Sequence, residues 1–310
     1  MTPTPWGWGS LRKGLKHTQA RSERVEGRFS PGSGLRQSEP LRLGRICFVN
    51  VLPVYLFLEQ DKTLFREVSD TPSRLNKMLR QGLLDVSPVS SVEYAGDPGR
   101  YRILGGLSIS CVGRVRSVLL LSQVPMEKWG NALIQCPMES ETSVALLRLL
   151  LRNYWGMDTG LVEEGGVSES VAVLRIGDRA LREAASGKWA HVWDLGEAWH
   201  SWTGLPFVFA LWLVRERVAQ SRAIQLNKLH GALLRARDTG LSKLDVCAEK
   251  ARRVLGGMEL DLLEYFQGLT FSLEEGHIKG LNLFFEELAK AGLIKEKPVL
   301  RLWPPNPQSL

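Results

Sequence analysis

The chain has 310 residues, 44% of them hydrophobic and 24% charged, a balance typical of a globular protein with a sizeable core. Its formal charge is +7, but residues 1–40 contain seven Lys or Arg and three Glu and so supply +4 of it; no basic stripe typical of a nucleic-acid-binding protein remains. The longest apolar run, residues 205–214, is half the ~20 residues that a membrane span requires, so we predict neither a nucleic-acid partner nor a membrane segment.

Residues 1–40 are rich in Gly, Ser, Pro and Arg and show no hydrophobic periodicity, which predicts a disordered N-terminal extension. They contain no apolar stretch followed by a small-residue cleavage site, which argues against a secretory signal. The expected location is the cytoplasm, with an organellar transit peptide as the alternative. Three glutamates in this segment, Glu23, Glu26 and Glu39, count against that alternative.

From residue 41 onward, short apolar runs alternate with helical patterns. The predicted elements are a strand at 45–49, a turn at 50–53, a helix starting at 54–59, a helix capped by Thr71 or Ser73 and ending near Gly82, a strand at 85–89, and a helix opened by Ser90 and Ser91. This β-α-β-α alternation predicts parallel strands with helices on both faces.

Residues 107–122 predict one long strand, polar in its first half and apolar in its second. The next predicted elements are a strand at 132–135, a helix at 144–154 capped by residues 140–143, a strand at 171–176 and a helix from Arg179. A polar, aromatic helix then stops at Gly204, and residues 207–214 form an apolar strand typical of a parallel sheet covered on both faces. Beyond residue 215 we predict helices to about 292, with breaks near 239–240, 256–257 and 276.

The strands near 115–122 and 207–214 bracket an inserted α/β block, which is typical of a two-lobed, hinged binding protein. We predict lobe 1 from residues 41–118 and 212–300, lobe 2 from residues 119–211, and a tail at 301–310. Polar residues that end strands or begin helices should face the cleft; they are Asn50, Ser90, Ser91, Thr142, Ser143 and Asp178.

Several segments in this order carry a family resemblance. They are NVLPVY from residue 50, PSRLN from 72, GLLDVSPVSSVEY from 82, LSIS from 107, SV from 117, ESETSVALL from 139, IGD from 176, and residues 194–212. Together they resemble the chorismate dehydratase family, the first enzyme of the futalosine route to menaquinone, which has the fold of type II periplasmic binding proteins. The resemblance covers residues 43–215 well and 216–300 loosely. It implies an α/β, two-lobed fold with a hinge of two crossing strands.

The resemblance further implies a small-molecule substrate, chorismate, which loses water to give 3-(1-carboxyvinyloxy)benzoate. A proton leaves C3, the hydroxyl leaves C4 and the ring becomes aromatic. By this resemblance Asn50 and Ser117 are catalytic, and the substrate-binding residues are Ser90, Ser91, Ser110, Thr142, Ser143 and Asp178. Helix N-termini with hydroxyl donors suit a dianion. The same serines and threonine could instead be plain helix caps, Asn50 a turn residue and Ser117 an outward-facing strand residue.

The sequence offers no clear general base. The five histidines fall outside the matching motifs, and of the two best-placed carboxylates, Glu93 and Asp178, the second could be an ordinary helix cap. We therefore predict that the substrate's own enolpyruvyl carboxylate takes the proton. Four widely spaced cysteines predict reduced thiols, and no phosphate loop or dinucleotide fingerprint is present. No metal and no cofactor are expected.

One departure from the family lies at residues 113–115, which read Gly-Arg-Val where relatives tend to have Gly-Pro-Val. Arg114 either binds a carboxylate or faces solvent. Rival functions are a solute-binding protein, which would need export or a lipid anchor, and the sister enzyme that makes dihydroxynaphthoate, whose motifs are missing at the matching places. A third rival function is a ligand sensor of the same fold that binds a small carboxylate, because a fold does not determine a function. The sequence does not predict the oligomeric state.

Overall fold

A computed structural model describes residues 39–137, 140–165, 170–257 and 260–304. Residues 1–38 of the predicted N-terminal extension and 305–310 of the predicted tail lie outside these ranges. Among the described residues, no helix combines the length and apolar character that a membrane span needs.

Twelve strands lie in the described ranges. They are β1 (Leu41–Ile46), β2 (Phe65–Asp70), β3 (Val86–Ser90), β4 (Tyr101–Cys111), β5 (Val118–Ser122), β6 (Ile134–Cys136), β7 (Leu161–Glu163), β8 (Ala172–Ile176), β9 (His191–Asp194), β10 (Phe207–Arg215), β11 (Leu269–Thr270) and β12 (Leu302–Trp303). The strand predicted at 45–49 is β1, which starts and ends earlier in the chain. Five short strands were not predicted from the sequence: β2, β7, β9, β11 and β12.

The α-helices of the same ranges are α1 (Leu52–Tyr55), α2 (Pro72–Arg80), α3 (Ser91–Gly96), α4 (Glu141–Leu149), α5 (Gly177–Ala185), α6 (Leu195–Thr203), α7 (Glu216–Ser221), α8 (Ala223–Leu241), α9 (Leu244–Val254), α10 (Leu262–Gln267) and α11 (Glu275–Lys290). The cap or break predicted near 239–240 lies slightly later, because α8 runs through both residues and ends at Leu241. A side chain at Gly240 would start 1.8 Å from the carbonyl oxygen of Pro53. This glycine therefore permits close helix packing rather than ending a helix.

The strands form two separate sheets, so the two-lobed α/β fold class is confirmed. The first sheet has the order β11-β4-β10-β3-β1-β2, with β12 also pairing with β4, and the second has the order β7-β6-β8-β5-β9. Both sheets are mixed: β1 is parallel to β2 and β3, whereas β10 is antiparallel to β3 and β4. The prediction of a parallel setting for residues 207–214 is wrong. Burial on both faces makes a strand apolar whatever the direction of its neighbours.

The prediction of one long strand at 107–122 is also wrong. β4 ends in the first sheet and β5 lies in the second, and residues 112–117 connect them. The backbone turns here because Gly113 and Arg116 have positive φ angles of 81° and 58°. We call residues 112–117 the crossing segment. The chain returns after Gly204, whose φ of 71° ends α6 as predicted, and enters the first sheet at β10.

The buried core contains tryptophan side chains. Trp199 and Trp212 are fully buried, and Trp199 packs edge-on against Trp202, Phe207 and Phe284. Aromatic side chains therefore pack around the point where the chain returns to the first sheet. The polar residues proposed for the functional site lie elsewhere, at strand ends and helix starts.

Candidate functional site

Three hydroxyl side chains meet where the two lobes touch; we call them the hydroxyl cluster (Ser90, Ser91 and Thr142). Ser90 ends β3, Ser91 begins α3, and Thr142 lies in the first turn of α4 in the other lobe. The Thr142 Oγ1 lies 2.5 Å from the Ser90 Oγ and 3.3 Å from the Ser91 Oγ, and it accepts a hydrogen bond of 3.2 Å from the Val92 N–H. The Thr142 N–H donates in return to the Ser90 Oγ at 3.0 Å. Two helix N-termini therefore meet directly where the lobes touch, each with short hydroxyls.

The N-cap of α4 is Ser140, so the side chains of Thr142 and Ser143 are not needed to cap this helix. The Ser140 Oγ accepts from the Ser143 N–H at 3.2 Å and donates to the Ser143 Oγ at 2.8 Å. Ser143 thus acts as an acceptor toward Ser140 and keeps its own hydroxyl proton for another partner. Thr142 and Ser143 are nearly fully buried, so a ligand that bonded them would be enclosed.

A second group, which we call the hinge cluster (Asn50, Ser117, Asp178 and Tyr265), gathers around the crossing segment. The Asp178 Oδ1, at the start of α5, accepts from the Val49 N–H at 3.0 Å, and Asn50 is the next residue. The preceding Gly177 N–H donates to the Ser117 carbonyl at 2.7 Å. These two contacts bring Asn50 and Ser117 toward the N-terminus of one helix, α5.

Asn50 has a polar atom that the fold leaves unused. Its Oδ1 is buried and has no hydrogen-bond partner within the described residues. An unpaired buried acceptor costs about 1–3 kcal/mol, so such atoms are rare unless something else supplies the donor. Asn50 lies beside the cleft on a short 3₁₀ turn, Val49–Val51. Its side chain is therefore suited to receive a hydrogen bond from a ligand.

Ser117 is held on two sides. Its Oγ donates to the Val115 carbonyl at 3.3 Å and accepts from the Tyr265 hydroxyl at 3.2 Å. Ser117 and Tyr265 are 97% and 99% buried. The bond to Val115 is long and therefore weak, so the serine proton can turn to a better acceptor at little cost.

Asp178 connects the lobes through the backbone rather than through a charged partner. Burial raises the pKa of this carboxyl, and the hydrogen bond from the Val49 N–H offsets only part of that rise. A carboxylate with its Oδ1 committed to Val49 is well placed to hold the Asn50 turn. Its second oxygen can still contact a ligand.

The remaining candidates lie outside both clusters. The Ser110 Oγ donates to the Thr270 carbonyl at 3.1 Å, between β4 and β11. Glu93 is bonded to the half-exposed Arg80 guanidinium and accepts from the Tyr101 hydroxyl at 2.7 Å, so its buried carboxylate is already occupied. Arg114 is 62% exposed and pairs with Glu197 at 2.9 Å, which favours the solvent-facing alternative.

Sequence reasoning missed two residues that hold the crossing segment. Tyr265, on α10, contacts Ser117, and Asp194, the N-cap of α6, accepts from the Val115 and Arg116 N–H groups at 3.1 and 2.6 Å. Asp194 also accepts from Gly196 and Glu197 in its own helix. The N-cap pattern before α6 could have indicated Asp194. Nothing local marks Tyr265.

No described residues supply a group of three or more His, Cys, Asp or Glu side chains that could hold a metal ion. Two buried histidines serve the backbone: the His230 Nε2 lies 2.7 Å from the Gly105 carbonyl, and the His277 Nδ1 accepts from the Glu274 N–H at 3.2 Å. Burial lowers the pKa of both. Neither contacts the hydroxyl cluster or the hinge cluster.

Comparison with known proteins gives a consistent result. A family described as Menaquinone biosynthesis matches residues 41–290. The chorismate dehydratase of Thermus thermophilus is 34% identical over 268 residues, which cover 80% of this chain and 95% of that protein.

Two solved structures share the fold. A protein from Archaeoglobus fulgidus has a TM-score of 0.66 at 19% identity, covering 84% of this chain and 100% of its own. The periplasmic aliphatic sulphonate binding protein of Escherichia coli has a TM-score of 0.59 at 12% identity, covering 86% of this chain and 93% of its own. At these identities the likeness concerns the fold alone.

Proposed function

The chain belongs to the menaquinone biosynthesis family of the chorismate dehydratases, and from this premise we propose that it is a carbon–oxygen lyase that removes water from chorismate. The product would be 3-(1-carboxyvinyloxy)benzoate, formed in the cleft between the lobes. The C3–H and C4–O bonds break, a C3=C4 double bond forms, and aromatisation of the ring drives the reaction.

The hydroxyl cluster supports binding of a dicarboxylate. Chorismate is a dianion, and helix N-termini with short hydroxyl side chains favour anions through the helix dipole and through hydrogen bonds from the hydroxyls. Ser90, Ser91, Thr142 and Ser143 lie at two such N-termini, on opposite lobes. A ligand that bonds both sides holds the lobes closed and excludes water. Ser110, bonded to the Thr270 carbonyl, has the weakest geometric support among the proposed binding residues.

The observation that carries the proposal furthest is the unpaired Oδ1 of Asn50 beside Ser117 and Asp178. An amide that keeps a free acceptor in a buried cleft can orient a hydroxyl of the substrate, and its NH₂ can donate to a carboxylate. We assign Asn50 and Ser117 to the reaction on this basis. Ser117 donates a hydrogen bond to the substrate after releasing its long bond to the Val115 carbonyl.

The proton of C3 needs an acceptor, and the substrate itself can supply one. Glu93 is engaged by Arg80 and Tyr101, and Asp178 commits one oxygen to the Val49 N–H and offers the other for binding the substrate. We therefore propose that the enolpyruvyl carboxylate of chorismate takes the proton, while Asn50 and Ser117 hold it in the reacting pose. The departing C4 hydroxide accepts that proton and leaves as water, so no external acid or oxidant is required.

The test is incubation of the purified chain with chorismate, followed by ultraviolet absorbance and mass. We expect wild type to convert chorismate, Asn50→Ala to lose at least about 100-fold in kcat, and Asn227→Ala to retain wild-type kcat. Asn227 is a matched control because its Oδ1 serves only the Trp303 Nε1–H, 2.9 Å away and outside both clusters. Chorismate bound but unchanged by a folded wild type would refute the lyase and favour a solute-binding protein or sensor of the same fold.

A further inference from the structure

Tyr265 is a buried polar group that the reaction as described does not use. It lies on α10, its side chain is 99% buried, and its hydroxyl donates to the Ser117 Oγ at 3.2 Å. Among the described residues this hydroxyl forms no other hydrogen bond. A buried tyrosine hydroxyl usually forms a hydrogen bond with a polar partner, and that bond fixes its position.

The helix that carries Tyr265 is anchored to the crossing segment at two consecutive positions. Glu264 forms an ion pair with Arg116, and Tyr265 bonds the next residue, Ser117. Arg116 has a φ of 58°, a conformation uncommon outside glycine. The backbone just before Ser117 is thus turned sharply and fixed from the side of α10.

The direction of the hydrogen bonds decides what Tyr265 does for Ser117. A serine hydroxyl has one proton, and here the Tyr265 hydroxyl occupies a lone pair of the oxygen. The serine proton must therefore point elsewhere, and its present acceptor, the Val115 carbonyl, is 3.3 Å away. Donation from Tyr265 also polarises the serine O–H, which strengthens its bond to an anionic acceptor.

Resting on the function proposed above, we propose that Tyr265 is a positioning residue that makes Ser117 a hydrogen-bond donor toward the substrate. It touches Ser117 and not the reacting atoms. The contact works only while the phenol keeps its proton. Burial raises the pKa of Tyr265, and the bond with Ser117 offsets only part of that rise, so the hydroxyl remains a donor across the ordinary range of assay pH.

A double-mutant cycle with chorismate as substrate separates this role from a structural one. Tyr265→Phe keeps the buried ring and removes the hydroxyl; we expect kcat to fall about tenfold, with KM changed less than about twofold. In a Ser117→Ala background the same substitution should have no further effect on kcat, because the serine through which it acts is gone. Tyr94→Phe is the matched control. Its buried hydroxyl bonds Val299 and Arg301, near the C-terminal end of the described chain, and kcat should stay at the wild-type level.

Each outcome of the double-mutant cycle either supports or overturns the role proposed for Tyr265. Equal losses of kcat in both backgrounds would mean that the Tyr265 hydroxyl acts independently of Ser117, and a wild-type kcat for Tyr265→Phe would mean that it does not act at all. Should Tyr265→Phe fail to fold, Ser117→Ala alone remains informative, since wild-type kcat in that variant overturns the inference. Absence of turnover by wild type would instead refute the proposed lyase, and Tyr265 would then have no reaction to support.

Discussion

Asp194 should stabilise the crossing segment far more than an ordinary helix cap does. Its buried carboxylate accepts four backbone N–H groups: Gly196 and Glu197 in α6, and Val115 and Arg116 in the crossing segment. Asp194→Ala removes the helix cap, which stabilises the protein by about 1 kcal/mol. It also leaves two further N–H groups without an acceptor, at a cost of about 1–3 kcal/mol each. We expect the free energy of unfolding to fall by roughly 3–7 kcal/mol, or on the order of 10 °C in Tm.

The matched control is Asp261→Ala. Asp261 caps α10 through one exposed bond, to the Glu264 N–H at 2.8 Å, so its loss should cost only about 1 kcal/mol. Urea unfolding followed by circular dichroism measures both variants. Because Ser117 follows the held residues directly, Asp194→Ala should also lower kcat. Equal destabilisation by the two substitutions would refute the reasoning.

Three further substitutions test the clusters. Asp178→Asn keeps an acceptor for the Val49 N–H and should retain turnover, because no proton passes through this side chain; lost turnover with intact binding would contradict that. Burial raises the pKa of Asp178, so its ionised form opposes folding. The Asp178→Asn variant should therefore be more stable than wild type at neutral pH. This difference in stability should vanish below about pH 4, because Asp178 of wild type is then protonated in both the folded and the unfolded state. Gly177→Ala places a Cβ 2.6 Å from the Phe48 ring at a φ of 56° and should cost about 1–3 kcal/mol more in urea unfolding than Gly187→Ala, which has a φ of 64° in open space. Thr142→Val removes the hydroxyl that joins the lobes and should raise KM for chorismate about tenfold; an unchanged KM would remove it from the binding site.

The strand ends and helix starts of the site could be predicted from local sequence. Asn50, Ser90 and Thr142 each stand where an apolar run meets a helical pattern, and such residues face a cleft in a two-lobed α/β protein. The inserted second lobe was likewise visible as a block between two apolar runs. Local patterns suffice here because each of these features depends on neighbours in the chain.

The contacts that hold the site could not be predicted in this way. Tyr265 meets Ser117 across 148 residues, and Asp194 meets Val115 across 79. Strand direction was missed for the same reason. An apolar run such as β10 reports burial on both faces, whereas the direction of its partners depends on the path of the chain between the lobes.

The central claim is that this chain converts chorismate to an aromatic product by losing water, and the mass of the product formed by purified wild type tests it most directly. We predict a product lighter than chorismate by one water molecule, with aromatic ultraviolet absorbance, formed without added metal or cofactor and abolished in Asn50→Ala. Chorismate recovered intact after incubation with the folded chain would contradict the claim.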